Sequence, residues 1–223
     1  MKHLVIIGAG GFGREMYGAA LGAVGYGTEF DVKGFLDERP DALAAFAGYP
    51  PVIGTPGGYE IEEDDVFVTA LGDIASRRSC AEAVERRGGK FAAIVHRTAF
   101  LGPNVKVGEG SFVAHNVVLT ADVAVGRHAC VFHNTSIGHD TTLGDYSHVY
   151  AQCSIGGAVR IGEGAAVYPG ARIVPRRTIG EDAVVGIGAV VVLNVPPRTT
   201  VFGNPAAPTE CGVACGGEAE GGR

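Results

Sequence analysis

Between residues 95 and 191, every sixth residue of this chain is aliphatic, and no insertion interrupts the series. The series has 17 members: Val95, Leu101, Val107, Val113, Leu119, Val125, Val131, Ile137, Leu143, Val149, Ile155, Ile161, Val167, Ile173, Ile179, Val185 and Val191. A period of six matches neither the 3.6-residue turn of a helix nor the two-residue alternation of a strand. It is typical of a parallel β-helix, in which each hexad supplies a short strand and a bend. Three hexads close one triangular coil, so we predict a prism of between five and six coils with the aliphatic side chains inside.

The composition argues against several classes of protein. The chain has 223 residues, a net charge of −6 and no long basic run, which argues against nucleic acid as its main partner. No apolar run approaches the length of a membrane span, and the apolar stretch at 4–7 is too short for a signal peptide. Five cysteines without a convincing metal-binding spacing suit a reducing compartment. We therefore expect a cytoplasmic protein that needs no metal.

Residues 1–93 are expected to form a small α/β domain in front of the prism. The sequence predicts strands at 4–7, 31–36, 51–54, 66–71 and 91–95, and helices at 14–24 and 75–87, with a short further helix starting at Asp41. Strands that alternate with helices imply a parallel sheet. We assign 1–93 to a Rossmann-like domain, 94–207 to the β-helix, and 208–223 to a disordered tail.

A glycine motif follows the first predicted strand. Gly8, Gly10 and Gly13 form G-x-G-x-x-G at the start of a helix, where the backbone can approach a diphosphate. Asp37 lies at the end of the second predicted strand, where an acidic side chain can bind a ribose or a base edge. The motif alone suggests NAD, but the domain is only half the size of a dinucleotide fold. One nucleotide diphosphate therefore fits better, and the alternative is a turn that serves the fold alone.

His139 occupies an outer position of the prism with small residues beside it. The equivalent positions one coil earlier and one coil later are Ala121 and Gly157, which leaves room for a substrate. Asp140 follows directly and can orient the imidazole and stabilise its charged form, provided that the chain bends between the two residues. We interpret His139 as a functional residue.

The other histidines of the repeat are interpreted mainly as packing residues, namely His96, His115, His128 and His133. His115 and His133 are 18 residues apart and are expected to stack on one column, with Ala151, Pro169 and Ile187 above them. His128 and His133 have the five-residue separation used by the zinc site of γ-type carbonic anhydrases, a second enzyme class built on such a prism. Their positions within the hexad differ, which argues against that alternative.

Several features together resemble a known enzyme family. The hexad array, the run Ile137-Gly138-His139-Asp140 and the terminal Gly203-Asn204-Pro205-Ala206 are similar to the left-handed β-helix (hexapeptide-repeat) acyltransferases. The Gly-rich α/β domain in front of the array resembles that of the sugar O/N-acyltransferases. These include the bacillosamine-pathway and perosamine N-acetyltransferases and relatives of sialic acid O-acetyltransferase.

The resemblance implies a homotrimer that transfers an acetyl group from acetyl-CoA to a nucleotide-linked amino sugar of the 4-amino-deoxyhexose type, with active sites between adjacent prisms. It implies that His139 is the general base and that Asp140 raises its basicity. For acetyl-CoA it implies contacts with His148, Gly157, Pro169 and Ile187, the Gly157 N–H serving as oxyanion donor. For the nucleotide sugar it implies contacts with Gly10, Gly11, Phe12, Asp37, Glu38 and Gly72. Phe12 stands where some members of the family have a histidine.

Two alternatives stay open. The same residues would serve transfer to a sugar hydroxyl, as in sialic acid O-acetyltransferases. A non-catalytic nucleotide-sugar-binding protein would keep the fold, although the His139–Asp140 pair argues against it. Cys153 lies at a small-residue position of the array and is interpreted as inward packing rather than a nucleophile. We therefore expect direct transfer within a ternary complex, with a neutral imidazole accepting the proton.

Overall fold

The computed structural model describes residues 1–209 and begins with a small parallel sheet flanked by two helices. The elements are β1 (Lys2–Ile7), α1 (Gly11–Leu21), β2 (Phe30–Leu36), β3 (Val52–Gly54), β4 (Asp65–Thr69) and α2 (Ile74–Arg86). The strand order is β3-β2-β1-β4, and every pairing is parallel, which confirms the predicted parallel sheet. The tail beyond residue 209, with Cys211 and Cys215, lies outside the described residues.

Three local predictions in this unit were wrong. Helix α1 begins at Gly11 rather than residue 14, because close packing of Gly13 on the preceding turn outweighs the low helix propensity of glycine. The residues after Asp41 form turns instead of a short helix. Of the strand predicted at 91–95, only Ile94–Val95 is a strand, and it belongs to the prism.

The prism consists of short strands at six-residue intervals. They are β5 (Ile94–Val95), β6 (Phe100–Leu101), β7 (Lys106–Val107), β8 (Phe112–Val113), β9 (Val118–Leu119), β10 (Ala124–Val125), β11 (Cys130–Val131), β12 (Ser136–Ile137), β13 (Thr142–Leu143), β14 (His148–Val149), β15 (Ser154–Ile155), β16 (Arg160–Ile161), β17 (Ala166–Val167), β18 (Arg172–Ile173), β19 (Thr178–Ile179), β20 (Val184–Val185) and β21 (Val190–Val191), followed by β22 (Thr200–Phe202) and β23 (Ala207–Pro208).

From β5 to β21, each strand pairs with the strand 18 residues away, so the strands form three walls. The covered wall has eight strands (β5, β8, β11, β14, β17, β20, β22, β23), the open wall six (β6, β9, β12, β15, β18, β21) and the polar wall five (β7, β10, β13, β16, β19). Among the strand pairings of residues 1–209, only that of β22 with β23 is antiparallel. The predicted triangular prism is confirmed.

The second residue of each strand points into the prism. From Val113 to Val191 all of these aliphatic side chains are buried, whereas Leu101 at the open end is 38% exposed because no coil precedes it. The third residue after each aliphatic makes the bend, and at most of these positions φ is positive, as in Asn104, Asp122 and Asp140. Asparagine, aspartate and glycine tolerate this backbone region best, which explains why they recur in this column.

The α/β unit packs on the outside of the covered wall. Phe112, Cys130 and His148 are outward-facing residues of that wall, yet all three are buried. Phe12 from α1 contacts Phe112, and Arg77 from α2 contacts Cys130 and His148. Within residues 1–209, no helix has the length and apolar character needed to cross a membrane.

Candidate active site

The Gly-rich turn joins β1 to α1 and leaves the start of the helix accessible. Gly8 has a φ of +104°, and a Cβ on Gly13 would lie 2.0 Å from the Gly8 carbonyl oxygen, so both positions require glycine. Gly10 is the N-cap residue of α1, and a Cβ on Gly10 or Gly11 would meet nothing within 4 Å. The helix N-terminus is therefore open to an anionic group, which the helix dipole stabilises.

Asp37 supports this turn from the residue after β2. Its Oδ2 accepts a hydrogen bond of 2.8 Å from the Ala9 N–H, and its Oδ1 accepts one of 3.1 Å from Arg39 Nε. Burial alone would raise the pKa of this carboxyl, but the bonds from Arg39 and Ala9 outweigh burial and lower the pKa below the ordinary aspartate value. Asp37 is thus ionised and engaged within the protein, whereas Glu38 is exposed.

A cavity of about 350 Å³ lies between the Gly-rich turn and the prism. Its lining comes from both units: Gly11, Phe12, Glu15, Gly72, Phe132, His133, His148, Tyr150, Ala151 and Pro169. The structure therefore brings together two groups that were predicted separately. Gly11, Phe12 and Gly72 were assigned to the nucleotide sugar, and His148 and Pro169 to acetyl-CoA.

Aromatic rings form one side of this cavity. The His148 ring packs against both Phe132 and Tyr150, with centroid distances of 4.9 Å and 4.1 Å, and those two rings stack on each other at 5.6 Å. His148 is buried, and its Nδ1 lies 3.2 Å from Nη1 of Arg77. Burial, and then the positive charge of Arg77, hold the pKa of His148 well below the ordinary histidine value. His148 is therefore neutral at physiological pH.

His139 and Asp140 form an exposed pair elsewhere on the prism. His139 Nδ1 lies 2.7 Å from Asp140 Oδ2, and the side chains are 67% and 62% exposed. Asp140 has a φ of +59°, which supplies the bend that the pair requires. A carboxylate only accepts hydrogen bonds, so in the neutral His139 ring the proton is on Nδ1 and the Nε2 lone pair is free.

The His139 ring lies directly over Gly157. A Cβ on Gly157 would be 2.6 Å from His139 Nε2 and 2.8 Å from Cε1. The imidazole itself thus fills the space above Gly157, which the sequence interpretation had left for a substrate. Any larger residue at position 157 would displace the ring.

These two groups of residues lie at opposite edges of the open wall. The edge shared with the covered wall, which we call the cavity edge, carries the column His133, Ala151, Pro169 and Ile187 after strands β11, β14, β17 and β20. The edge shared with the polar wall, which we call the His139 edge, carries His139 after β12 and Gly157 after β15. His139, Asp140 and Gly157 do not line the cavity. A single chain therefore leaves its two candidate half-sites apart.

The remaining histidines and cysteines have other surroundings. The rings of His115 and His133 stack at 5.0 Å, as predicted, and with His96 they line a groove of about 380 Å³ along α1. His128 is fully buried, with Nε2 3.2 Å from Glu85 Oε1. Burial raises the pKa of the Cys153 thiol to about 11, which disfavours a thiolate nucleophile.

A further surface groove carries none of the predicted site residues. A groove of about 560 Å³ between α2 and the prism is lined by charged side chains, among them Arg78, Glu82 and Glu181. In the part of the chain that the structure describes, no cluster of three or more His, Cys, Asp or Glu side chains could hold a metal ion.

The sequence interpretation missed two components of the site. Phe132, Tyr150 and Tyr168 follow one another at the 18-residue interval, and this period could have identified the aromatic column. Arg77 gave no such signal, because an arginine in an amphipathic helix is normally exposed. Its position beneath His148 depends on how α2 packs on the covered wall.

Comparison with known proteins agrees with this architecture. Residues 3–84 match the model of the PglD N-terminal domain family. The chain is similar to the acetyltransferase domain of PglB from Neisseria gonorrhoeae FA1090, with 30% identity over 94% of this chain and 100% of that one and a TM-score of 0.84. It is similar to PerB from Caulobacter crescentus, solved with CoA and GDP-perosamine, with 30% identity over 94% and 98% of the chains and a TM-score of 0.81.

A third structure, WeeI from Acinetobacter baumannii AYE, has 26% identity over 94% of this chain and 100% of that one, with a TM-score of 0.81. No curated protein sequence matches. The α/β unit followed by a prism defines a left-handed β-helix acyltransferase. Within that class, the chain belongs to the hexapeptide-repeat sugar acetyltransferase family.

Proposed function

We propose that this enzyme transfers the acetyl group of acetyl-CoA to the amine of a nucleotide-linked amino sugar of the 4-amino-deoxyhexose type, with His139 as general base. The observation that carries the proposal is the His139–Asp140 pair above Gly157. Two matching structures support the choice of substrates: PerB was solved with CoA and GDP-perosamine, and the PglB domain with acetyl coenzyme A.

The nucleotide sugar is placed by the α/β unit. The diphosphate binds at the open N-terminus of α1 beside Gly10 and Gly11, where the helix dipole favours negative charge. Asp37 keeps this turn in shape, and Glu38 is exposed beside it. The sugar then lies along Phe12 and the aromatic side of the cavity, because sugar rings present apolar faces that pack well on aromatic rings.

The enzyme works as a homotrimer built around the open wall. Apart from Leu101 at the open end of the bore, the large exposed hydrophobic side chains of the prism lie on that wall or its two edges: Phe100, Val118, Ile187, Val192 and Leu193. The covered wall is already occupied by the α/β unit, and the polar wall carries exposed polar residues such as Lys106, Thr142 and Arg160. A closed ring of three copies with the open walls facing the axis buries these apolar residues.

This assembly completes the active site. Around a threefold axis, the His139 edge of one copy meets the cavity edge of the next, so His139 faces the partner's cavity. The thioester of acetyl-CoA then lies between the two copies, along the Pro169 and Ile187 column of one and beside Gly157 of the other. Each ring has three such sites.

The chemistry follows from the two nitrogen atoms of His139. The sugar amine attacks the acetyl carbonyl carbon as His139 Nε2 accepts a proton from the nitrogen, and Asp140 stabilises the imidazolium. The Gly157 N–H donates to the oxyanion. The attack forms the carbon–nitrogen bond of the new amide. Collapse of the tetrahedral intermediate then breaks the carbon–sulfur bond and releases the CoA thiolate, which takes up the proton from His139. The buried thiol of Cys153 has no part in this transfer.

The test is release of CoA thiol from acetyl-CoA with a panel of UDP-, GDP- and dTDP-linked 4-amino sugars. We expect turnover with one member and a fall of about 100-fold or more in His139→Asn, since general base catalysis contributes about 10²–10⁴. His3→Asn is the matched control, because it removes a partly exposed imidazole at the start of β1, away from the cavity and from the His139 edge, and it should leave turnover unchanged. Full activity in His139→Asn would overturn the mechanism.

If the enzyme binds acetyl-CoA but releases no CoA thiol with any member of the panel, the acceptor would instead be a hydroxyl, such as that of a sialic acid. The His139–Asp140 pair suits that acceptor as well, because a hydroxyl needs a base at least as much as an amine does. If the enzyme neither releases CoA thiol nor binds acetyl-CoA, acetyl transfer from this donor would be refuted.

A further inference from the structure

Arg77 is a fully buried arginine whose charge has no carboxylate partner among the described residues. It projects from α2 onto the outer face of the covered wall. Nη2 donates a 2.7 Å hydrogen bond to the Tyr146 carbonyl oxygen, and Nη1 lies 3.0 Å from Cys130 Sγ and 3.2 Å from His148 Nδ1. A buried cation placed against neutral groups is costly, so a role beyond packing is to be expected.

The contact with His148 determines which of its nitrogens carries the proton. A guanidinium has donors only and stays protonated at all accessible pH values. His148 Nδ1 must therefore accept the hydrogen bond from Arg77, because a proton on Nδ1 would point at the N–H of the guanidinium. The remaining proton of the neutral ring is on Nε2. Protonation of both nitrogens would place two cations 3.2 Å apart in a buried site.

Nε2 is the unpaired end of this arrangement. It is buried and has no hydrogen-bond partner among residues 1–209, although His148 lines the cavity beside Phe12. An unpaired buried donor is unfavourable, and a ligand that supplies an acceptor relieves the penalty. The ligand reaches Nε2 once the ring or the Phe12 side chain against it moves, since Nε2 is covered in the free protein.

We propose that Arg77 is a positioning residue of the transfer site: it holds His148 as the neutral Nε2–H tautomer, which donates to a ligand oxygen in the cavity. The identity of that ligand rests on the proposed function, but the tautomer does not. The two histidines of the half-sites thus have opposite forms. A carboxylate leaves His139 with a free Nε2 lone pair, and a guanidinium leaves His148 with an Nε2 proton. His148 therefore cannot replace His139 as the base.

The tautomer is tested by ¹⁵N NMR of the imidazole nitrogens in the full-length free protein. We expect His148 to show a protonated Nε2 and an unprotonated Nδ1, with no titration near the ordinary histidine pKa. Arg77→Met should give a mixture of tautomers, whereas the matched control Arg78→Met, one residue along α2, should keep the single form. A protonated Nδ1 in the native enzyme, or an unchanged single tautomer in Arg77→Met, would overturn the proposal.

The donor role is tested with acetyl-CoA as the probe. Its addition should shift the Nε2–H signal, and Arg77→Met should weaken acetyl-CoA binding about 3- to 10-fold, the loss expected for one hydrogen bond. His148→Gln keeps an N–H donor but has no imidazole tautomers. Arg77→Met should therefore weaken acetyl-CoA binding less in the His148→Gln background than in the native enzyme. An equal loss of acetyl-CoA affinity in the native and the His148→Gln enzymes would show that Arg77 acts through packing alone.

These readouts separate the two proposals. The NMR experiment needs no turnover, so the tautomer can be established even if acetyl transfer fails. Conversely, loss of His139 should leave the His148 signals unchanged. A variant that fails to fold is recognised from its amide spectrum, and Arg77→Gln then replaces Arg77→Met, because an amide can donate or accept and therefore does not select one tautomer of His148.

Discussion

Gly157→Ala should change the position of the proposed general base, His139, without changing the stability of the fold. The added Cβ would lie 2.6 Å from His139 Nε2, and an ordinary contact begins at 3.4 Å, so the ring must move by about 0.8 Å. The ring can move, because the His139 side chain is 67% exposed. The substitution therefore displaces the base while leaving the coil intact.

The expected effect is kinetic. A misplacement of about 1 Å can cost about 100-fold in rate, or about 2.7 kcal/mol of barrier. Alanine keeps the backbone N–H, so the proposed oxyanion donor is unaffected and the loss is assigned to His139. We expect kcat/KM for amino-sugar acetylation to fall about 100-fold with no change in melting temperature.

Two comparisons make this prediction specific. Gly156→Ala places its Cβ 2.6 Å from the backbone nitrogen of Pro175, which cannot move freely, so that variant should lose stability instead. In a His139→Asn background the shorter side chain leaves room, and Gly157→Ala should add little further loss. Native kcat/KM in Gly157→Ala, or full additivity with His139→Asn, would refute the assignment of the base.

Three further outcomes are expected. Ala158 holds a φ of +57°, so Ala158→Gly should raise the free energy of unfolding by about 0.5–1 kcal/mol in urea titrations, and a decrease would contradict the strain argument. Leu193 is 70% exposed at the His139 edge, and Leu193→Glu should sediment as a monomer and lose activity, whereas Thr142→Glu on the polar wall should remain a trimer. His148 is neutral when folded but takes up a proton when unfolded below about pH 6.5, so its contribution to stability is lost as pH falls. His148→Phe should therefore reduce the acid slope of the unfolding free energy by about 1.4 kcal/mol per pH unit below that value, and equal slopes would contradict the burial of a neutral ring.

The prism could be predicted because the six-residue period of the sequence corresponds to one side of each triangular coil. Each coil must return an inward side chain at the same place, so Ile137 and Ile155 occupy equivalent positions whatever surrounds the prism. The same periodicity placed His139 above Gly157 and stacked His115 on His133. Predictions based on single short segments were less successful, as with the start of α1, because packing there competes with helix propensity.

The sequence by itself determined the three walls, the Gly-rich turn and the pairing of His139 with Asp140, since each depends on residues close in the chain or separated by whole coils. It did not determine which wall is covered. The six-residue period is the same on all three walls, and only the docking of α1 and α2 buries the outward residues of one wall. That docking placed Arg77 beside His148, 71 residues further along the chain, and changed an outward histidine into a buried neutral one. Burial and charge depend on what packs from outside the repeat, and so the electrostatics of the cavity are a property of the tertiary structure.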